Sequence, residues 1–193
     1  MSQPIPLVIV GAGGHGRSIL ELVRLSATHE VKAFLDDQQP AGTHILGVPV
    51  WGSSAAFDQL PARGVRAVHI AVGHNASRQA LAERARAAGL ALATLVHPRA
   101  FVSPSAELGE GCAVMALAAV GTEAWLAQGC IVNMGAVVDH HARVGAFGHL
   151  GANATMAGGT RIGARAWLQA GAALGYGVQL PDDTVVPAGE GRR

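Results

Sequence analysis

Aromatic residues make up only 4% of the 193-residue chain and charged residues only 14%. Formal net charge is +1, and no run of Lys or Arg interleaves with aromatics, so the electrostatic footprint of a nucleic-acid-binding protein is missing. Two cysteines, Cys112 and Cys130, are too few for a disulfide framework or a metal quartet and read as small buried residues; no metal is expected. The most apolar later stretch, Leu90 to Val96, is too short to span a bilayer, which leaves no membrane partner. The N-terminus, MSQPIPLVIVGAGG, lacks a basic n-region and a cleavage pattern. These absences predict a cytoplasmic protein, and a hydrophobic content of 50% is enough for a substantial core.

What is present is a repeat. Read in sixes from Ala100 to Gly189, the chain gives fifteen uninterrupted hexads whose third position is always aliphatic or Met. The first position is Ala, Cys, Gly or Thr in every hexad but the one opening at Val178, and the fourth is Gly in six of them. This period fits neither a 3.6-residue helix nor a two-residue alternation carried on in one direction, so the chain must turn after each short strand. Three strands close a coil of eighteen residues. Fifteen hexads predict a parallel β-helix of about five coils, roughly 24 Å tall at the usual strand spacing, with positions one and three inside.

Residues 6 to 96 read differently. Strands at LVIV, VKAFLDD, ILGVPV, RAVHIAV and LALATLV alternate with helices near His15 to Leu25, Ser54 to Leu60 and Ala76 to Ala88. The pattern predicts a small Rossmann-like α/β domain over residues 1–97, followed by the β-helix over 98–193. Gly11, Gly13 and Gly16 form GxGxxG between a strand and a helix, with Asp36 twenty residues beyond Gly16. Such a turn lets backbone N–H groups approach a phosphate. A domain of this size holds about one mononucleotide-binding half, which favours a nucleotide-sugar over NAD.

The combination of GAGGHGR, FLDD, AVGHN and the hexads resembles, over nearly the whole chain, the sialic-acid O-acetyltransferase and nucleotide-linked amino-sugar N-acetyltransferase family (NeuD/PglD-like). The resemblance implies a left-handed β-helix, a homotrimer with active sites between neighbouring prisms, and acetyl-CoA as the acyl donor. Carried over by motif, it implies that Gly14, His15, Gly16, Asp36, Asp37, Gly73, His74 and Asn75 surround a nucleotide-linked amino sugar. It implies His140, seven residues after Asn133, as the catalytic base and His149 beside the thioester. The family's usual acid after the catalytic His is replaced by His141, so either Asp139 or His141 is left to orient the imidazole. The family also carries a closing segment after the last hexads, whereas this sequence reaches only Arg193.

Hexad phase gives an independent expectation. His140 falls at position five and His149 at position two, both outward. Asp139 and Asn133 fall at position four, where a left-handed corner suits Asn, Asp or Gly. Adding eighteen puts Trp167 beyond His149, as a wall of the acyl-donor groove or as a subunit contact. Met156 to Gly159, with Gly158 outward, offers small residues for a pantetheine arm, and Arg161 or Arg165 could meet CoA phosphates. Acetyl transfer needs a base near neutral pH, which imidazole supplies. The expected reaction is N-acetylation of the amino sugar for surface-glycan synthesis, with O-acetylation of sialic acid as the alternative and, behind both, a γ-carbonic-anhydrase-like metal enzyme or a non-catalytic sugar-nucleotide-binding scaffold.

Overall fold

A computed structural model describes residues 4–193, and the chain divides into two compact units between Ala93 and Thr94. In the first unit a six-stranded sheet forms from β1 (Ile5–Val10), β2 (His29–Leu35), β3 (His44–Ile45), β4 (Val48–Gly52), β5 (Ala67–Ile70) and β6 (Ala91–Leu92). Its order is β3-β4-β2-β1-β5-β6. All neighbours are parallel except the β3–β4 hairpin, into which ILGVPV breaks at Leu46-Gly47, both at positive φ.

Helix α1 (Gly14–Ser26) joins β1 to β2 and buries Ile19, Leu20, Leu22 and Val23, while α2 (Asn75–Ala87) joins β5 to β6. The apolar run of β1 is completely covered from Leu7 to Ile9, as a central parallel strand requires. The stretch expected as a helix near Ser54 to Leu60 is a 3₁₀ segment, Ser54–Gln59.

The second unit consists of two-residue strands recurring every six residues, in three parallel sheets of six, six and five strands. The first strand is Leu95–Val96, which lies at the end of the run LALATLV and pairs with Ala113–Val114. The last is Gly191–Arg192. The expected interior is observed: position three, from Val114 through Leu168, is at most 3% exposed, and Cys112 and Cys130 are buried position-one residues outside any disulfide.

The corners differ from expectation in one respect. The left-handed backbone falls at position six, not position four. It is adopted there by glycines such as Gly111 and Gly129, and also by Leu117, Glu123, His141, Phe147, Asn153, Arg165 and Asp183. For a residue with a Cβ this conformation costs about 1 kcal/mol. Its N–H, however, donates to a carbonyl of the preceding coil, as from His141 to Thr122 (2.9 Å), Phe147 to Gln128 (2.8 Å) and Asp183 to Ala164 (2.8 Å). A hydrogen bond of that kind contributes about 1 kcal/mol and offsets the cost.

Glycine at position four has another cause. A Cβ on Gly145 would lie 2.5 Å from the Ala164 nitrogen, and one on Gly121 would lie 2.9 Å from the His140 nitrogen. Successive coils touch at this point. Asn133 and Asp139 occupy it by turning their side chains back, accepting the N–H of Met134 (2.8 Å) and His140 (2.7 Å).

His69 on β5 is 1% exposed, and its Nδ1–H donates to the Ala93 carbonyl at 2.9 Å. Burial lowers its pKa to about 4, against the hydrogen bond and with help from the Arg78 charge. Unfolded, the ring binds a proton near 6.5, so between these values the unfolded chain holds more protons. Stability present above pH 6.5 is therefore lost as pH falls toward 4, by about 3 kcal/mol in total. Denaturant unfolding at pH 7.5 and 4.5 should show that loss in the parent chain beyond that in His69→Asn, which keeps a donor at the same place. Equal losses in both would contradict it.

Candidate active site

The corner between strands Val137–Val138 and Arg143–Val144 carries Asp139, His140 and His141. His141 stands at the left-handed position (φ 59°), and eighteen residues earlier Glu123 occupies the same place in the preceding coil (φ 55°). Stacking brings the two together: His141 Nε2 lies 3.0 Å from Glu123 Oε2. On its other side, His141 Nδ1 is 2.9 Å from His140 Nδ1, with the two rings at 87°. All three side chains reach solvent.

Asp139 does not hydrogen-bond the imidazole. Its Oδ1 accepts the backbone N–H of His140, and its Oδ2 sits 3.9 Å from His140 Nε2, too far for a hydrogen bond. Gly158, eighteen residues after His140, lies against the ring itself: a Cβ there would collide with Cε1 and Nε2. Next to this corner a groove of about 460 Å³ is lined by Glu107, Glu123, Trp125, His141, Arg143 and Arg161 among others.

His149 follows its outward register on a different wall. Its ring stacks on Trp167, the residue paired with it in the next coil, at 5.6 Å and 15°, and only 8% of the residue is exposed. Trp167 stays 36% exposed. Arg165 is held by Asp183, one coil on, through Nε at 2.7 Å and Nη2 at 2.6 Å. Glu123 and Arg143 were not singled out in the sequence, although subtracting eighteen from His141 leads directly to Glu123.

In the first unit the glycine turn is built as its pattern predicts. Gly11 has φ 103°, and a Cβ there would lie 2.8 Å from the Ala71 carbonyl oxygen; a Cβ on Gly16 would run into the Gly11 carbonyl. Gly13, Gly14 and Gly73 face open space, and the N-terminus of α1 has no side-chain cap. His15, half-buried, opens the first turn of that helix.

Asp36 is occupied structurally. Its Oδ2 accepts the Ala12 N–H (2.6 Å), and its Oδ1 accepts those of Gln38 (2.8 Å) and Gln39 (3.0 Å). Asp37 accepts the N–H and hydroxyl of Ser54 at 2.7 and 3.1 Å. Both carboxylates nevertheless line a cavity of about 220 Å³ beyond the carboxyl ends of β1 and β2, with Gly11, Ser54 and Val72. A ligand in an open parallel sheet sits at this end of the strands.

The Gly73-His74-Asn75 turn is fixed from within. His74 Nδ1 accepts the N–H of Ser77 and so caps α2. Arg78, 1% exposed, donates to the carbonyls of Val72 (3.0 Å) and Gly73 (3.1 Å) and to Asn75 Oδ1 (2.9 Å). Sequence reading passed over Arg78; its signal was an arginine one helical turn after a glycine-containing loop. Among the described residues, no three His, Cys, Asp or Glu side chains gather as a metal site would need, and no helix is long and apolar enough to cross a membrane.

Comparison with known proteins bears on both units. Residues 6–85 match the family model of the PglD N-terminal domain. Over 113 residues, 57% of this chain, the sequence is 38% identical to the UDP-N-acetylbacillosamine N-acetyltransferase of Bacillus subtilis, and the match spans about half (51%) of that relative's length. A crystallised variant of the GDP-perosamine N-acetyltransferase of Caulobacter crescentus, in complex with CoA and GDP-perosamine, is 41% identical. That match has a TM-score of 0.93 and covers 97% of this chain and 88% of that one. The acetyltransferase domain of PglB from Neisseria gonorrhoeae is 36% identical with a TM-score of 0.92, over 97% and 91% of the two chains.

Removing a buried guanidinium leaves its carbonyl partners without a donor, at about 1–3 kcal/mol for each group left unpaired. Arg78→Ala should therefore destabilise the first unit by about 3 kcal/mol in chemical denaturation. A loss under about 0.5 kcal/mol would show that the turn holds its shape without Arg78.

Proposed function

Since the chain belongs to the NeuD/PglD-like family of left-handed β-helix acyltransferases, we propose that it transfers an acetyl group from acetyl-CoA to the amino group of a nucleotide-linked amino sugar. The observation that carries this reading is the exposed corner imidazole of His140, whose Nε2 is not engaged by the neighbouring His141. The amine nitrogen attacks the thioester carbonyl and forms the C–N bond while Nε2 takes its proton. Collapse of the tetrahedral intermediate breaks the C–S bond and releases the CoA thiolate, which then takes up a proton. Asp139 Oδ2 lies 3.9 Å from His140 Nε2. The oxyanion calls for an N–H donor aimed at it.

The nucleotide-sugar is assigned to the first unit. Its phosphates suit the uncapped N-terminus of α1 at Gly14, His15 and Gly16, and its base and ribose suit the cavity at Asp36 and Asp37 with the Gly73-His74-Asn75 turn. The Bacillus subtilis and Caulobacter crescentus relatives are both named for a sugar-nucleotide acceptor. CoA is assigned to the prism near His149 and Trp167, whose stacked rings present a flat partly apolar wall. Gly158, which lies against the His140 ring without a side chain of its own, is assigned to the pantetheine path beside it. A homotrimer completes the reading, because Phe101, Leu117, Met134 and Tyr176 leave apolar surface exposed on the prism. Reduced, buried Cys112 and Cys130 suit the cytoplasm, where the product would feed surface-glycan synthesis.

Thiol release from acetyl-CoA, measured with UDP-, GDP- and dTDP-linked amino sugars and with free sialic acid, tests the assignment. Release with one of the amino sugars is expected. Release with sialic acid alone would move the reading to O-acetylation, and release with none would refute both. In His140→Ala, turnover should fall at least about 100-fold, the scale of a lost general base; unchanged turnover would reject the mechanism. Light scattering should give a mass three times that of the chain, and a monomer would contradict the trimer.

A further inference from the structure

Corner stacking sets three groups in a line: Glu123 Oε2, 3.0 Å from His141 Nε2, and His141 Nδ1, 2.9 Å from His140 Nδ1. A carboxylate only accepts hydrogen bonds, so the His141 nitrogen facing it carries the hydrogen. A neutral imidazole has a single N–H, which leaves His141 Nδ1 as an acceptor. The nitrogen facing it, His140 Nδ1, must then carry the hydrogen, and the lone pair of His140 is confined to Nε2. Proton assignment thus propagates through both rings from one acid.

We propose that Glu123 and His141 are positioning residues that act through His140, fixing its tautomer so that Nε2 is the proton-accepting atom. The proposal rests on the reading of His140 as the general base. Gly158 supports it, since the absence of a side chain there lets the His140 ring lie in the plane that meets His141. When Nε2 takes the substrate's proton, the new positive charge remains hydrogen-bonded through Nδ1–H to His141, whose own N–H is held by the carboxylate. No bond of the relay breaks and no further reactant is needed.

Replacing the acid by an amide removes the constraint. In Glu123→Gln the amide can donate to His141 Nε2, which moves the His141 hydrogen to Nδ1 and turns His140 to the tautomer protonated at Nε2. An aspartate at position 141 would bypass the relay, because its carboxylate oxygen hangs from Cγ as Nδ1 does and would accept His140 Nδ1–H directly. Asp183 adopts the same left-handed corner (φ 59°), so the backbone accommodates that residue.

The test measures kcat and KM for Glu123→Gln, His141→Asp, the double variant and His140→Asn, with thermal unfolding as the folding control and ¹⁵N NMR of the imidazoles as a readout that needs no substrate. Glu123→Gln is expected to lower kcat at least about tenfold with both KM values within about twofold. His141→Asp should stay within about threefold of the parent, and in that background Glu123→Gln should cost less than about twofold. The NMR spectra should show His140 protonated at Nδ1 in the parent and shifted toward Nε2 in Glu123→Gln. An unchanged kcat in Glu123→Gln, the same loss in both backgrounds, or an unchanged tautomer would overturn the relay. Full activity in His140→Asn would overturn the base itself. Loss of activity there beside an unaffected Glu123→Gln would overturn only the relay.

Discussion

The distance between successive coils governs the second unit. Parallel two-residue strands hydrogen-bond one coil to the next, and at position four the backbones approach so closely that a Cβ on Gly121, Gly145 or Gly151 would meet main-chain atoms of the following coil. That approach allows no insertion and no slippage, since moving the register by one residue would carry the aliphatic third position to the surface. Residues eighteen apart therefore form fixed columns along the prism. The proposed active corner is made of such columns: Glu123 with His141, and His140 with Gly158.

The same constraint stacks wall residues at position two in columns, as His149 on Trp167 and Arg143 beside Arg161 along the groove. Corner residues at positions five and six project from the prism edge, and at position six a side chain reaches its column neighbour in an adjacent coil, as His141 reaches Glu123 and Arg165 reaches Asp183. In the first unit the organising feature is a set of backbone anchors. Asp36 holds the glycine turn, Asp37 holds the 3₁₀ segment, and Arg78 holds the turn before α2. These charged groups spend most of their hydrogen bonds on the loops that border the cavity.

The hexad period made the prism, its interior and the outward register of His140 and His149 legible, because position within a rigid repeat fixes which way a side chain faces. Corner conformation was not legible. Leu117, Phe147 and Arg165 have no intrinsic liking for positive φ, and they adopt it at position six only because a backbone hydrogen bond to the neighbouring coil repays the strain. The hairpin inside ILGVPV was hidden for a related reason: Leu46 takes a positive φ that its sequence does not announce. At the site, adjacency along the chain left Asp139 or His141 to orient His140, and it is His141 that meets the ring while Asp139 Oδ2 stays 3.9 Å away. Glu123, which meets His141 from the preceding coil, becomes visible only in the stack. Arg78 went unread because burial of a guanidinium depends on the loop it clamps, which only the folded unit displays.

Catalysis at this corner requires the acceptor's nucleophile to meet His140 Nε2. The most direct measurement is a crystal structure with CoA and an accepted nucleotide-linked amino sugar bound. The sugar's amino nitrogen should lie within about 3.2 Å of His140 Nε2, or one water away, with the thiol of CoA beside it. An amino group seated away from that nitrogen, or a thiol directed to another corner of the prism, would contradict the assignment of His140 as the base.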